Sequence, residues 1–244
     1  LNARGDPYLS VVIPAYNEER RLPATLADVI AWLSRQQFPS EIVVVDDGST
    51  DGTAAAVKQM TGPLVRLVRH PDGENHGKGA SVRLGMLEAR GDCRLFMDAD
   101  NSTTCDQAAA FFPYLQEGFD VVIGSRDVPG AVIPVRQPWY KAWAGDLGNL
   151  FIRAAAVPGI YDTQAGFKLF TRRAAEDIFS RLTLTRWAFD VEVLAIARRR
   201  GYRIKEVPIT WRNDPQSKVR LSSYFAVLRD VWRVRRNLRA GRYD

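Results

Sequence analysis

Short, unbroken apolar runs separated by longer amphipathic stretches set the pattern of this chain. The runs are Leu9 to Pro14, Glu41 to Asp47, Leu64 to Val68, Cys93 to Met97 and Asp120 to Gly124. Runs of this length, rich in Val and Ile and closed by polar residues, predict buried strands. Between the first two, Leu22, Leu26, Val29, Ile30 and Leu33 recur at helical spacing within Leu22 to Gln37. Further helices are predicted from near Thr53, from about Ala80 to Ala89, and from Gln107 to Gln116. The turn Gly48 to Thr53 supplies residues that can cap the second helix. Strands that alternate with helices and are apolar on both faces imply an α/β fold. Its sheet is mainly parallel and covered on both sides.

Beyond Gly124 the rhythm changes. Ser125 to Tyr140 carries Arg126, Arg136 and several Pro and Gly residues, and predicts a long loop. Trp143 to Ala156 reads as a helix and Asp162 to Phe170 as a strand. Arg173 to Leu182 and Phe189 to Arg199 follow as helices. Arg203 to Trp211 is the last strand, placed at an edge or bulge by Pro208. In the final helix, Leu221 to Leu238, the apolar set Tyr224, Phe225, Leu228, Val231 and Trp232 opposes Arg229, Arg233 and Arg236. Two readings fit that helix: docking on the protein with a solvated basic face, or lying on anionic lipid headgroups. The aromatic residues Trp139, Tyr140, Trp143 and Phe151 divide in the same way, between core and a membrane-facing patch.

The candidate chemistry sits where strands end. Ligands of open α/β sheets gather outside the carboxyl ends of the strands. Three such ends are polar here: Pro14 to Glu18, Asp46-Asp47, and Asp98 with Asp100. Their convergence suggests a nucleotide pocket. Asp98 and Asp100, one residue apart, fall on one side of an extended backbone. Two hard oxygen donors there suit Mg2+ or Mn2+, which also takes substrate phosphate oxygens; the plain alternative is turn chemistry, for which Asp is common. Gly77-Lys78-Gly79 is either a phosphate contact with Lys78 as a point charge or an ordinary turn. The chain has neither Gly-x-Gly-x-x-Gly nor Gly-x4-Gly-Lys-[Ser/Thr], which argues against a dinucleotide fold and a P-loop enzyme.

Composition narrows the class further. The chain has 244 residues, is 46% hydrophobic and carries a net charge of +6, enough for one large domain with a full core. The basic balance favours an anionic partner. Two cysteines, Cys93 and Cys105, exclude a disulfide framework and point to a reducing compartment. His70 and His76 are the only histidines, so no zinc spacing occurs. No apolar stretch approaches the roughly 18–20 residues of a membrane span, and no signal peptide is visible. An anchor upstream of Leu1 stays open.

Four segments together carry a resemblance: Pro14 to Glu18, Val45 to Thr53, Asn75 to Gly79, and Asp98-Ala99-Asp100. In order and spacing they resemble the nucleotide-sugar half of a family 2 inverting glycosyltransferase of GT-A fold. Asp162 to Phe170, Trp187 to Glu192 and Ser217-Lys218 resemble, more narrowly, the dolichyl-phosphate β-glucosyltransferase and dolichyl-phosphate mannose synthase branch. The resemblance spans about Leu9 to Leu221. It implies one GT-A domain over 1–244: a nucleotide-sugar half (8–126), an acceptor-side half (127–220) and a basic amphipathic helix (221–244). It also implies roles. Pro14, Tyr16, Asn17 and Glu18 line the base and ribose, with Asp47 and Gly48 beside the base. Lys78, Asp98, Ala99 and Asp100 meet the diphosphate, and Asp98 and Asp100 the metal. Arg126 and Arg136 face the acceptor phosphate, and Arg212 and Lys218 close over the phosphates. Asp190 is a sugar-hydroxyl ligand or base, or else caps the helix at Phe189.

Two departures qualify the branch. Ser102 stands where the mannose synthases carry a glutamine metal ligand, and Gln216 replaces the glycine before Ser-Lys. The resulting expectation is inverting transfer of a hexose, glucose from UDP-glucose first, to a polyprenyl phosphate. Transfer from GDP-mannose, transfer to a glycan hydroxyl, and a non-catalytic nucleotide or nucleic-acid binding module are the rivals. The expected partners are the donor, the lipid phosphate and a membrane surface reached peripherally from the cytoplasmic side, with no nucleic acid.

Overall fold

The computed structural model describes residues 5–134, 156–213 and 223–244, with side chains of the last segment from 226. Arg136, Lys218, Gln216, the predicted helix Trp143 to Ala156 except its last residue, and the side chains of Tyr224 and Phe225 lie outside it. The elements run β1 (Leu9–Ala15), α1 (Leu22–Leu33), β2 (Ser40–Asp46), α2 (Thr53–Met60), β3 (Val65–Arg69), α3 (Lys78–Glu88) and β4 (Cys93–Met97). A 3-10 turn (Cys105–Ala110) and α4 (Phe112–Gln116) lead to β5 (Val121–Ser125). Then come β6 (Phe167–Thr171), α5 (Arg172–Arg181), α6 (Phe189–Arg199), β7 (Ile204–Pro208) and α7 (Ser223–Arg239).

The strands form one seven-stranded sheet in the order β3-β2-β1-β4-β6-β5-β7. All neighbours are parallel except β6, which runs antiparallel to both β4 and β5. Strand alternation divides the core between the two faces. Val12, Val43, Val45 and Phe96 point to the α3, α5 and α6 side. Val11, Ile13, Val44, Leu95 and Met97 point to the α1 side. These side chains are essentially inaccessible to water, and burying each contributes about 1.5–3 kcal/mol.

The sheet order creates the crevice. After β1 the chain moves outward through β2 to β3, then returns to the other side of β1 as β4. The loops leaving β1 and β4 therefore diverge, and a ligand site opens between them.

Three expectations are corrected. The helix predicted over Gln107 to Gln116 breaks at Phe111 into a 3-10 turn and a short helix, because Pro113 can only occupy a helix start. The strand predicted from Asp162 begins at Phe167, and the residues before it form turns. In α7, Val231 and Val234 are buried while Leu228 and Trp232 are exposed, so the apolar residues do not share one face. Pro208 does close an edge strand, β7.

Candidate active site

The loop after β1 is fastened to the loop after β2. Asn17 adopts φ +54°; its backbone N–H donates to Ser49 Oγ at 3.0 Å, and its Oδ1 accepts from Thr50 N at 2.9 Å. Glu18 N donates to Thr53 Oγ1 at 2.7 Å. The Glu18 carboxylate takes a two-point contact from Arg21, at 2.6 and 2.7 Å. Pro14 lies in β1, opposite Val45 of β2. Tyr16 in this loop is 41% exposed.

Asp47 organises the glycine-lysine loop. It is 3% exposed. Its Oδ1 accepts from His76 N at 2.9 Å, and its Oδ2 accepts from Gly77 N at 2.9 Å and Asn75 Nδ2 at 3.0 Å. Gly48 presses against the backbone of Gly73 to Asn75. Gly77 holds φ +96°, and a Cβ there would come within 2.6 Å of the Thr185 carbonyl oxygen; only glycine allows this turn. The turn delivers Lys78 as the first residue of α3.

Lys78 Nζ lies 2.6 Å from Asp98 Oδ1. The ammonium is stacked on Phe96 and Trp187, 5.4 and 5.6 Å from their ring centres. Burial works against its charge, but Asp98, Asp190 and Asp100 overcome this and raise its pKa. Asp98 leaves the end of β4 and its N–H donates to Gly166 O at 3.1 Å. The Asp98 carboxylate rests on Gly166 so closely that any Cβ there would overlap it. Ala99 turns inward and its carbonyl accepts from Thr25 Oγ1 at 2.7 Å. Asp100 Oδ1 accepts from Ser102 N at 3.0 Å. Burial, and then the Asp98 charge, push the Asp100 carboxyl above its usual range. Asp98 and Asp100 are hard oxygen donors one residue apart, and a divalent cation would offset the charge that Asp98 imposes on Asp100, so these residues fit a hard metal ion. Among the described residues no group of three or more His, Cys, Asp or Glu forms a metal site.

Arg126 follows β5 and faces the same cleft. Its Nε and Nη2 donate to the two Asp162 oxygens at 2.7 and 2.8 Å, and its backbone N–H to Oδ2 at 3.0 Å. The guanidinium stacks on Trp211 at 5.2 Å. Burial raises the cost of both charges, and the pairing overcomes it. Asp162 is held below the usual carboxylate range and Arg126 above its own. Asp98, Ser102, Arg126, Gly166 and Trp211 line one cleft. Ser102 also lines an adjoining groove with Gln107, Thr210 and Arg212. Arg212 is exposed there, its N–H donating to Ser102 O at 2.8 Å.

Asp190 lies in the first turn of α6 and is 4% exposed. Its Oδ1 pairs with Lys168 Nζ at 2.5 Å, and Lys168 is 1% exposed. Burial raises the Asp190 carboxyl, and Lys168 and Lys78 act against that rise. Asp190 forms no side-chain cap; the N-cap of α6 is Ala188.

The structure thus brings Lys78, Asp98, Asp100, Arg126 and Asp190 toward one crevice. Sequence reasoning assigned no role to Lys168, Asp162, Gly166, Trp187 or Trp211. A lysine between Phe167 and Leu169 was the available signal, because a charge within a buried strand requires a partner.

Solved structures of the same architecture place the fold. Mannosyl-3-phosphoglycerate synthase from Rubrobacter xylanophilus superposes with a TM-score of 0.72, at 24% identity over 97% of this chain and 76% of that one. Glucosyl-3-phosphoglycerate synthase from Mycobacterium tuberculosis, in complex with Mn2+, UDP and glucosyl-3-phosphoglycerate, gives 0.62 at 21% identity over 95% and 80%. The protein has a GT-A-type α/β fold. The sequence profile of glycosyl transferase family 2 matches residues 10–179. A dolichyl-phosphate beta-glucosyltransferase of Trichomonas vaginalis is 38% identical over 251 residues, 96% of this chain and 72% of the relative. One from Dictyostelium discoideum is 35% identical over 93% and 74%. The chain belongs to glycosyl transferase family 2 and is a glycosyltransferase.

Proposed function

We propose that this protein transfers glucose from UDP-glucose to a polyprenyl phosphate, with inversion, giving a β-linked lipid-phosphate sugar. The reaction takes place at the cytoplasmic face of a membrane, to which the protein binds peripherally. The relatives named above support the sugar and the lipid phosphate. The observation that carries the reading is the cleft with Asp98 on one wall and Arg126 on the other. A metal-binding carboxylate and a guanidinium in one cleft suit a leaving diphosphate and an attacking monophosphate.

The residues divide the work accordingly. Lys78, poised at a helix start, offers a point charge to the diphosphate. Asp98 and Asp100 would hold Mg2+ or Mn2+; when bound, that ion neutralises charge on the departing nucleoside diphosphate. The acceptor phosphate is already ionised, so it needs orientation more than a base. Arg126 is locked by Asp162 along one edge and stacked on Trp211, which fixes the guanidinium for that purpose. Arg212 extends the positive surface along the adjoining groove. Asp190, paired with Lys168, is suited to holding a sugar hydroxyl rather than to taking a proton.

The experiment is transfer of labelled sugar into an organic-extractable product. UDP-glucose, UDP-N-acetylglucosamine, UDP-galactose and GDP-mannose are offered in turn with a polyprenyl phosphate, Mg2+ or Mn2+, and a chelator control. A chelator-sensitive product from UDP-glucose is the expected result. Product from GDP-mannose alone would reassign the donor. Product only with a glycan acceptor would reassign the acceptor.

A further inference from the structure

Helix α7 presents an exposed face among the described residues. Its inward side is Val227, Val231, Val234 and Leu238, with Val231 and Val234 fully buried. Asn237 is also buried, donating through Nδ2 to Tyr243 Oη at 3.0 Å. The outward side has a different composition. Trp232 is 57% exposed and Leu228 36%. Arg229, Arg233, Arg236 and Arg239 are exposed around them. The Arg235 guanidinium stacks on the Trp232 ring at 5.6 Å. The helix has a single acid, Asp230, which lies 3.8 Å from Arg229.

On a helical wheel, residues 228, 232, 236 and 239 fall on one stripe, with 229 and 233 beside it. The result is an apolar ridge flanked by guanidinium groups. A water-exposed tryptophan costs apolar burial that the core does not recover. A solvated basic face would not require it.

We propose that this face of α7 docks the protein onto an anionic lipid surface, with Trp232 and Leu228 entering the headgroup region and the arginines meeting lipid phosphates. Charge complementarity selects this occupant. A second copy of the same face would set arginines against arginines. A nucleic acid would satisfy the arginines but give Leu228 no apolar environment. A lipid surface satisfies both, since tryptophan favours the membrane interface and each basic residue near an anionic leaflet adds attraction. The proposal deepens the lipid-acceptor reading by naming the surface that meets the bilayer. Its test contains no acceptor, so the two can fail separately.

The experiment is co-sedimentation of the full chain with phosphatidylcholine vesicles, with and without phosphatidylserine, and with neither donor nor polyprenyl phosphate. Binding to the anionic vesicles, weakened by salt, is expected. Arg229→Gln/Arg233→Gln/Arg236→Gln should lower the partition coefficient by about a hundredfold. Trp232→Ser should lower it severalfold. Both variants should keep the wild-type Tm, because the altered side chains are exposed. Absence of wild-type binding at low salt overturns the proposal. So does an equal loss in Arg35→Gln/Lys58→Gln/Arg90→Gln, which would trace the effect to net charge, or unchanged binding in Trp232→Ser. Transfer to a short, water-dispersed polyprenyl phosphate should persist in the α7 variants; its absence in the wild type as well would instead count against the acceptor reading.

Discussion

Asp100 shows how one residue type serves two purposes at the end of a strand. It makes a turn, accepting from Ser102 N, while burial and Asp98 keep its carboxyl raised. Asp100→Asn preserves the turn and removes half of the charge pair. Transfer should fall by at least about a hundredfold, the scale for losing a transition-state contact, and metal-dependent nucleotide binding should weaken. Calorimetric titration of nucleoside diphosphate with and without Mn2+ measures the second effect; native metal linkage in the variant would end the two-carboxylate account.

Arg126 couples function to stability. In Arg126→Ala the acceptor KM should rise while the donor KM holds. The variant also strands Asp162, whose side chain is 2% exposed, and breaking a buried pair costs about 3–5 kcal/mol. The lower end applies, because Arg126 retains 28% exposure. The pH dependence has a definite sign. Asp162 is lowered in the folded protein, so the pair stabilises fully above the unfolded value of about 3.9 and this is lost as pH falls through the lower folded value. The gap in Tm between wild type and variant should therefore be large at neutral pH and shrink toward pH 3. A gap independent of pH would mean that the lost stability came from packing on Trp211.

Among the elements, β1, β2, β4 and β5 were legible because each is an apolar run buried on both faces, which leaves period and composition in agreement. The turn Asp162 to Gly166 was not legible as a turn. Its residues are fixed by distant partners: Asp162 by Arg126 and by Glu206, and Gly166 by the Asp98 carboxylate. Spacing along the chain records none of these contacts. The pairing of Lys168 with Asp190 was not legible for the same reason, because it spans 22 residues. The pattern of α7 was visible, but its apolar residues divide between two sides, with Val231 buried and Leu228 and Trp232 exposed. Val227, Val234 and Leu238 supply a complete apolar stripe without them.

A second long-range link runs from α6 to the C-terminal Tyr243. Glu192, fully buried, accepts from Thr183 N, Thr183 Oγ1, Leu184 N and Tyr243 Oη at 2.6–2.9 Å. The Thr183–Arg186 loop in turn abuts Gly77 and Gly79, and Thr185 O accepts from Ala80 N. Tyr243 therefore supports the loop that shapes the Lys78 turn. Tyr243→Phe removes the donation to the buried Glu192 carboxylate and the acceptor of Asn237 Nδ2, about 3 kcal/mol together, or about 6–12 °C in Tm for a chain of this size. The donor KM should rise severalfold and the acceptor KM should not. Equal rises in both would reduce Tyr243 to a general stabiliser.

At the scale of the whole molecule, the segments before and after residue 126 are not separable layers. Strand β6, from beyond residue 126, pairs with β4 through five residue pairs, Cys93–Thr171 to Met97–Phe167. Helices α5 and α6 cover the same face that Phe96, Val82 and Met86 help to form. A fragment ending at residue 126 would leave β4 with an open edge next to Asp98 and Asp100 and expose that apolar face to water. Such an edge invites association, and such a face gives a loosely packed state. The fragment should bind hydrophobic dyes, lack fixed near-ultraviolet dichroism and unfold without cooperativity. The full chain should unfold in one transition, with far-ultraviolet dichroism and tryptophan fluorescence coinciding along the denaturant axis. Two resolved transitions in the full chain, or a cooperatively folded fragment that binds nucleoside diphosphate, would show that the donor half is self-sufficient. The Asp98–Gly166 and Lys78–Asp98 contacts would then be late additions to a site that β1 to β4 already build.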